Sequence, residues 1–152
     1  MNNKTAKDIM TTDVIVAKKD DSIANVATLL IKEKIGGLPV VDEHNKVVGI
    51  ISETDIMQKE TDIESPRVLN FFQGLIFLDD IKKLEDDMKK VAAYKVEDLM
   101  SKDIITVNEN DSFDYVANVM IKKSINRVPV VDKENFLKGI ICRYDIIKAM
   151  YD

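Results

Sequence analysis

The chain repeats itself with an offset of 90 residues, and this repeat constrains the fold more than any other feature. From Asp8 to Ile56 every residue aligns with the residue 90 positions later without a gap, and 21 of the 49 aligned pairs are identical. A period of this length is too long for a solenoid unit. It indicates two tandem copies of one small domain, which can pack around a pseudo-two-fold axis as the subunits of a symmetric dimer do.

Both copies predict the same order of secondary structure. The runs "DVIVA" and "DIITV" are rich in β-branched residues and predict short strands. Ser22 and Ser112 then stand where a helix N-cap is expected, and apolar residues follow at helical spacing. A polar turn between "LPVV" and "VVGII", or between "VPVV" and "LKGII", predicts a hairpin, and a last helix follows. The sequence therefore predicts an α/β (α+β) fold of two β-α-β-β-α repeats.

The domain boundaries follow from where the repeat stops. We predict a first repeat at residues 1–58, an inserted segment at 59–94 and a second repeat at 95–152. The insertion matches neither copy, and Asp79 is a candidate N-cap for an amphipathic helix within it. The apolar stripe of that helix would contain Ile81, Leu84, Met88 and Val91. The stripe can pack on the chain's own core or bind a partner, and the sequence leaves both open.

Composition excludes several classes of protein. The 152 residues carry a net charge of −5, which disfavours nonspecific binding to nucleic acids and to anionic membranes. The single cysteine, Cys142, allows no intrachain disulfide, as is common in reducing compartments. No apolar run reaches the length of a transmembrane helix. We therefore expect a cytoplasmic protein with no nucleic-acid or membrane partner.

The paired motifs resemble a known family. Each copy opens with "DIM" or "DLM" and then contains an apolar residue before "PVVD", a turn and "GII". This pattern resembles the CBS domain, named after cystathionine β-synthase, over about residues 4–59 and 95–152. Two tandem CBS domains form a Bateman module, and the resemblance implies a stand-alone sensor. Such a sensor binds an adenosine-containing ligand in the cleft between the repeats and signals to a partner protein.

The resemblance also implies which molecules the chain would bind. The regulatory ligand would be AMP, ADP, ATP or S-adenosylmethionine, and no cofactor or metal would be obligatory. The module would form a homodimer and act on a downstream protein that the sequence does not name. The ligand itself is equally undetermined, because all of these compounds present adenine and ribose.

The tetrapeptide "SETD" at residues 52–55 is the first candidate binding motif. A helix start attracts phosphate, and the Thr54 hydroxyl can add a hydrogen bond. The Asp55 carboxylate suits the two neighbouring hydroxyls of a ribose, and in the family this aspartate is the usual ribose contact. The alternative is a capping box in which Ser52 caps the helix and Asp55 reaches back. Both roles can coexist at one helix end.

The second copy departs from this pattern with "CRYD" at residues 142–145. Cys142 is a poorer hydrogen-bonding group than Ser52, and the ring of Tyr144 can fill the pocket or stack on a base. Asp145 remains, so we expect a weaker second site that contains Tyr144, Asp145 and Ile105. Cys142 is not expected to be a nucleophile, because no neighbouring base would activate it.

Arg127 precedes the second "VPVVD", at the position that Gly37 occupies in the first copy. Family members often carry histidine or arginine here, and a guanidinium group suits phosphate. The resemblance therefore implies that Arg127 serves the same ligand as Thr54 and Asp55, although a surface salt bridge is also open. The adenine would need an apolar slot, and each candidate for it could equally belong to the core. These candidates are Val14, Ile15, Val16, Leu38 and Pro39.

Three classes of function remain to be compared. The leading expectation is a regulatory sensor, and the alternative is a ligand-free interaction or dimerisation scaffold, which the bulky Tyr144 favours. An enzyme is not expected, because the sequence contains no P-loop, no Cys/His metal cluster and no catalytic triad. The single histidine, His44, lies in a polar turn.

Overall fold

The computed structural model describes residues 3–61 and 94–152. The described elements of the first repeat are helices α1 (Ala6–Ile9), α2 (Ile23–Glu33) and α3 (Glu53–Thr61) and strands β1 (Gly37–Val41) and β2 (Val47–Ser52). Those of the second repeat are helices α4 (Val96–Leu99), α5 (Phe113–Lys122) and α6 (Arg143–Tyr151) and strands β3 (Val107–Asn108), β4 (Arg127–Val131) and β5 (Leu137–Cys142). The predicted helix after Asp79 and its apolar stripe lie outside the described residues. The predicted mixture of helices and strands in two repeats is confirmed.

Helices α2 and α5 begin where the sequence predicts. The Ser22 hydroxyl accepts a hydrogen bond from the Asn25 N–H at 3.2 Å, and the Ser112 hydroxyl accepts one from the Tyr115 N–H at 3.2 Å. Each cap satisfies one of the N–H groups that a helix start leaves without a partner. The buried faces follow the predicted spacing, with Ile23, Val26, Ala27 and Leu30 in α2 and Phe113, Val116 and Met120 in α5.

Two small sheets contain the predicted hairpins. Strands β1 and β2 form a two-stranded sheet, and β3, β4 and β5 form a three-stranded sheet. Strand β3 pairs with β4 in parallel, and β4 pairs with β5 in the antiparallel sense. Burial alternates along β2 and β5, which means that one face of each strand is directed towards a core.

The opening strands are shorter than the sequence predicts. "DVIVA" forms no regular strand, because only Ala17 makes a bridge, to Val40. In "DIITV" only Val107 joins a strand. The physical reason is side-chain packing: Val14, Val16 and Ile104 pack against a hairpin core cluster, which consists of Val41, Val47, Val131 and Leu137. A β-rich composition reflects such packing as much as ladder formation.

The described chain forms two compact units, and each combines segments of both repeats. The first unit contains residues 3–16, 41–48 and 103–152, and the second contains residues 17–40, 49–61 and 94–102. These units describe packing and not the limits of the repeats. The predicted domain boundaries at 58/59 and 94/95 therefore stay a prediction.

The segments that open the two repeats explain why each unit combines residues of both repeats. Residues 4–11, here called the first arm, pack in the first unit: the Ala6 N–H donates to Asp111 O at 2.8 Å, and Thr11 exchanges two backbone hydrogen bonds with Ile140. Residues 94–101, the second arm, pack in the second unit. There the Val96 N–H donates to Asp21 O at 2.9 Å, and Ser101 exchanges two backbone hydrogen bonds with Ile50. Each arm therefore completes the repeat to which it does not belong in sequence.

The methionine at the end of each arm rests on a glycine of the other repeat. A Cβ atom at Gly139 would lie 2.5 Å from Met10 Sδ and 2.8 Å from the Thr11 carbonyl oxygen. A Cβ atom at Gly49 would lie 2.5 Å from Met100 Sδ and 3.1 Å from the Ser101 carbonyl oxygen. Only glycine allows an approach this close. The repeated methionine and the repeated glycine are therefore contact partners.

The tips of the two hairpins meet within the first unit. The Val47 N–H donates to Asn135 O at 3.2 Å, and the Leu137 N–H donates to Asn45 O at 3.0 Å. Asn45 and Asn135 have left-handed backbone conformations, with φ of 65° and 70°. Asparagine is one of the few residues other than glycine that enter this region routinely. The hairpin core cluster lies in the same unit and joins side chains of both hairpins.

Candidate functional site

The predicted "SETD" motif forms a capping box at the start of α3. The Ser52 N–H donates to Asp55 Oδ2 at 2.9 Å, and the Asp55 N–H donates to Ser52 Oγ at 3.4 Å. The Ser52 hydroxyl also donates to Asp55 Oδ2 at 3.2 Å. The capping box, which the sequence offers as the alternative to ligand binding at this motif, is therefore present. The box uses only one carboxylate oxygen of Asp55, and Oδ1 lies outside it.

The box also limits what this helix start can offer to a phosphate. The Glu53 N–H donates to Gly36 O at 2.9 Å, and the Asp55 N–H is used by Ser52. Thr54 is exposed in the first turn, so its hydroxyl is accessible to solvent. A phosphate here would meet fewer N–H donors than at an uncapped helix. The binding roles of Ser52, Thr54 and Asp55 stay predictions.

The second motif keeps the backbone contact of this arrangement. The Cys142 N–H donates to Asp145 Oδ2 at 2.7 Å, and the Arg143 N–H donates to Asn126 O at 3.1 Å. Tyr144 is 72% exposed, so its ring presents a surface on which a base can stack. The aspartate at the helix start therefore has the same backbone contact in both repeats.

Arg127 lies beside this second helix start. The β4–β5 register pairs Arg127 with Cys142, the residue that precedes α6. Burial raises the pKa of the Cys142 thiol, the nearby Asp145 raises this pKa further, and Arg127 acts in the opposite direction. Arg127, Cys142 and Asp145 are thus brought together within the first unit. Thr54 and Asp55 belong to the second unit, and their predicted joint site with Arg127 stays a prediction.

The apolar candidates are core residues in their own units. Leu38 and Pro39 are buried in β1, and Val14 and Val16 pack on the hairpin core cluster. Ile105 packs against the core of the first unit, which includes Ala6, Val107, Val116, Met120, Val128, Val130 and Ile141. Ile15 is half-buried. Apart from Ile15, these positions match the core alternative, and an adenine slot stays a prediction.

A charged groove between α1 and α6 was not expected from the sequence. Its cavity volume is about 370 Å³, and its charged lining residues are Lys4, Asp8, Asp145, Lys148 and Asp152. The pKa of Asp8 is lowered by hydrogen bonds from the Thr5 backbone and side chain. Three acids stand against two lysines, so the lining carries a small excess of negative charge and does not favour a simple anion. The two walls come from different repeats, and the sequence alone does not reveal that they meet.

No group of three or more His, Cys, Asp or Glu side chains within 3–61 and 94–152 could hold a metal ion. In the same ranges, no helix is long and apolar enough to cross a membrane. His44 is exposed in the first hairpin turn, where its N–H donates to Asp42 Oδ1 at 2.9 Å. It is a turn residue, as the sequence indicates.

A comparison with protein families matches the CBS domain at residues 6–62 and again at residues 96–152. The chain belongs to the CBS domain family. Among curated relatives of this CBS pair, the uncharacterized protein MJ1426 of Methanocaldococcus jannaschii is 34% identical over 151 residues, which is 95% of this chain and 89% of that protein. The match to inosine-5′-monophosphate dehydrogenase of the same organism is 31% identical but covers only 23% of that enzyme.

Solved structures resemble the CBS pair along nearly its whole length. The structure of CBSX2 in complex with AMP has a TM-score of 0.73 and 26% identity, and the match covers 97% of this chain and 96% of that one. CBSX2 is a CBS-pair protein of Arabidopsis thaliana. The CBS domain pair of protein MJ0100, in complex with 5′-methylthioadenosine and S-adenosyl-L-methionine, has a TM-score of 0.70 and 31% identity over 97% of this chain and 96% of that one. The predicted tandem CBS fold is confirmed.

Proposed function

We propose that this CBS pair is a regulatory module that binds an adenosine-containing ligand. The observation that carries the proposal is the full-length similarity to pairs bound to AMP, 5′-methylthioadenosine and S-adenosyl-L-methionine. These three compounds share adenine and ribose, whereas only AMP carries a phosphate. Adenine and ribose are therefore the proposed recognition elements, and a phosphate or sulfonium group would set the choice among ligands.

The two helix-start aspartates are the proposed ribose contacts. Asp55 and Asp145 each hold a backbone N–H with Oδ2, which fixes the carboxylate while Oδ1 remains outside the cap. A fixed carboxylate oxygen is a suitable acceptor for a ribose hydroxyl. Arg127 lies close to Asp145, and its guanidinium would add a donor for phosphate. The predicted pairing of Arg127 with Thr54 and Asp55 is the competing assignment.

We further propose that the module is not an enzyme, that it acts as a homodimer in the cytoplasm and that it passes ligand state to a separate protein. A ligand-free scaffold is the second candidate. The observation that favours it is the burial of the proposed slot residues, since Leu38 is only 1% exposed and Val14 and Val16 pack on the hairpin core cluster. A ligand would have to find its apolar surface at the edges of these side chains.

A thermal-shift titration tests the proposal. The purified chain would be melted with adenosine, AMP, ADP, ATP, 5′-methylthioadenosine, S-adenosylmethionine and cyclic di-AMP, with guanosine and GMP as matched controls. A ligand at 100 times its Kd stabilises the folded state by about 2.7 kcal/mol. For about 150 residues this corresponds to a rise of roughly 5–10 °C. A rise with adenosine compounds alone supports the sensor, whereas no shift at millimolar concentration supports the scaffold.

A further inference from the structure

The first residue of the last helix differs in charge between the two repeats. Glu53 begins α3, Arg143 begins α6, and both side chains are exposed. Their backbones are held in the same way, because the Glu53 N–H donates to Gly36 O at 2.9 Å and the Arg143 N–H donates to Asn126 O at 3.1 Å. The two helix starts therefore have equivalent backbone contacts and side chains of opposite charge.

The neighbouring strand increases this difference. Arg127 lies opposite Cys142 in the register of β4 and β5, and the Cα atoms of such cross-strand neighbours are roughly 5 Å apart. Because Cys142 directly precedes α6, a second arginine stands beside that helix start. The equivalent position in the first repeat is Gly37, which contributes no charge to the start of α3.

Each helix start also carries the aspartate that the proposed function assigns to ribose. The α6 start combines Arg127 and Arg143 with the carboxylate of Asp145, so positive charge is in excess there. The α3 start combines the carboxylates of Glu53 and Asp55, so negative charge is in excess there. The two proposed ribose contacts thus lie in surroundings of opposite sign.

The ends of the preceding helices increase the difference further. Helix α2 ends at Glu33 and is followed by Lys34, so the charges of these two residues cancel. With the offset of 90 residues the equivalent residues are Lys123 and Ser124, which together carry one positive charge. The α6 start therefore lies in the more basic surroundings and the α3 start in the more acidic ones.

The ligands bound to related pairs differ in charge at the 5′ position of the ribose. At neutral pH the phosphate of AMP carries about two negative charges. 5′-Methylthioadenosine is uncharged at this position, and the sulfonium of S-adenosyl-L-methionine is positive. Arginine attracts a phosphate and can bind it through paired hydrogen bonds, whereas a carboxylate repels it. Two arginines therefore favour AMP, and two carboxylates favour the compounds without a phosphate.

We propose that the α6 start selects a phosphorylated adenosine ligand and that the α3 start selects an adenosine ligand without a phosphate. Arg143 and Glu53 are the specificity-determining residues, and Arg127 adds to the selection at α6. The inference rests on the proposed function, because it takes Asp55 and Asp145 as the ribose contacts. The module would then respond to two adenosine compounds of different charge, each at its own helix start.

Calorimetry on the intact chain tests whether the two ligands use different sites. AMP and 5′-methylthioadenosine would be titrated alone and again with the other compound at saturation. We expect both to bind, and we expect saturation with one compound to leave the binding of the other in place. Full competition for a single site would overturn this inference and leave the proposed function intact. Absence of binding by every adenosine compound would refute the proposed function, and this inference with it.

A charge exchange tests the two specificity-determining residues. Arg143→Glu should weaken the binding of AMP about tenfold or more, because it places a carboxylate beside the phosphate, and should leave the binding of 5′-methylthioadenosine unchanged. Glu53→Arg should allow AMP to displace 5′-methylthioadenosine from the α3 start. Arg143→Gln is the matched control, which removes the charge without reversing it and should cause a smaller loss. An AMP affinity unchanged by Arg143→Glu, or no displacement in Glu53→Arg, would overturn the role of that residue.

Three further measurements exclude indirect explanations. The side chains of Glu53 and Arg143 are exposed, so the variants without ligand should melt at the temperature of the wild type. The Kd of AMP should rise with salt and that of 5′-methylthioadenosine should not, because only the first depends on charge. Asp145→Ala should abolish the binding of AMP, and Asp55→Ala should abolish that of 5′-methylthioadenosine. The reverse result would overturn the assignment of the two ligands to the two helix starts.

Discussion

Asn45 and Asn135, 90 residues apart, each donate a side-chain amide to the backbone of the other's hairpin. Asn135 Nδ2 donates to Val47 O at 2.9 Å, and Asn45 Nδ2 donates to Leu137 O at 3.4 Å. Each asparagine therefore has two roles. Its backbone adopts the left-handed conformation of its own turn, and its side chain forms a hydrogen bond to the tip of the other hairpin. Glycine would meet only the first requirement.

This relationship predicts different costs for two equivalent substitutions. Asn135→Gly should reduce the free energy of unfolding by about 0.5–1.5 kcal/mol through the lost hydrogen bond. Asn45→Gly should cost less, because its bond is long, and the entropic effect of glycine is common to both variants. Asn135→Ala should cost about 1–2 kcal/mol more than Asn135→Gly, because alanine is strained at positive φ. Urea denaturation measures all three, and equal stability of the two glycine variants would contradict the assignment.

The close contacts of Met10 with Gly139 and of Met100 with Gly49 predict a second difference between equivalent substitutions. Gly139→Ala should destabilise the fold by about 1–3 kcal/mol, because its new methyl group would meet both Met10 Sδ and the rigid Thr11 carbonyl. Gly49→Ala should cost less, since its backbone neighbour, Ser101 O, is at 3.1 Å and the close atom belongs to the flexible Met100. Adding Met100→Leu should relieve Gly49→Ala more than Met10→Leu relieves Gly139→Ala. Melting temperatures of the four variants check the order of destabilisation. A lower melting temperature for Gly49→Ala than for Gly139→Ala would contradict the prediction.

The thiol of Cys142 should be unreactive at neutral pH. Because burial and Asp145 raise its pKa, a smaller fraction is thiolate than in a free thiol, and alkylation by iodoacetamide at pH 8 should be slower than for glutathione. Asp145→Asn should lower the pKa and speed the reaction, whereas Arg127→Ala should raise the pKa and slow it. The pH dependence of alkylation measures the shift. A rate above that of glutathione would contradict the predicted direction.

Arg127 should bind the phosphate of a nucleotide ligand. Arg127→Ala should weaken the binding of AMP at least tenfold more than the binding of adenosine, because a hydrogen bond to a charged group contributes about 1.5–3 kcal/mol. Calorimetry measures both affinities, and unchanged relative affinity would make Arg127 a residue with no role in phosphate binding. Double-mutant cycles separate its partners: non-additivity with Asp145→Ala supports a site at α6, and non-additivity with Asp55→Ala supports the cross-repeat prediction.

Local features of this protein could be predicted from sequence because they depend on neighbouring residues. The caps at Ser22 and Ser112 and the two hairpins require only adjacent positions, and the box of Ser52 with Asp55 spans three residues. The contact between Arg127 and Cys142 could also have been predicted, because the hairpin turn fixes which residues of β4 and β5 lie opposite each other. The family resemblance, by contrast, links Arg127 to Thr54 and Asp55 of the other repeat.

The contact of Met10 with Gly139 could not have been predicted in the same way. Both repeats contain the same arm and the same glycine, so either pairing, within a repeat or between repeats, satisfies the local sequence equally well. The opening strands are shorter than the sequence predicts for a related reason: Val14 and Val16 are residue types typical of a strand, but their side chains pack on residues distant in sequence. Such choices depend on the three-dimensional arrangement of both copies.

The exchange of arms has a consequence for the origin of the pair. If a chain with a single repeat kept the exchanged pairing, its arm would have no receptor in the same molecule, and the glycine equivalent to Gly139 would lack its methionine partner. Such an ancestor could complete its fold by lending its arm to a second molecule. Gene duplication would then have converted an exchange between molecules into one within a single chain, where the two arms are always present in equal number. The two repeats would thus be retained together, because the loss of either repeat would leave the glycine of the other without its methionine partner.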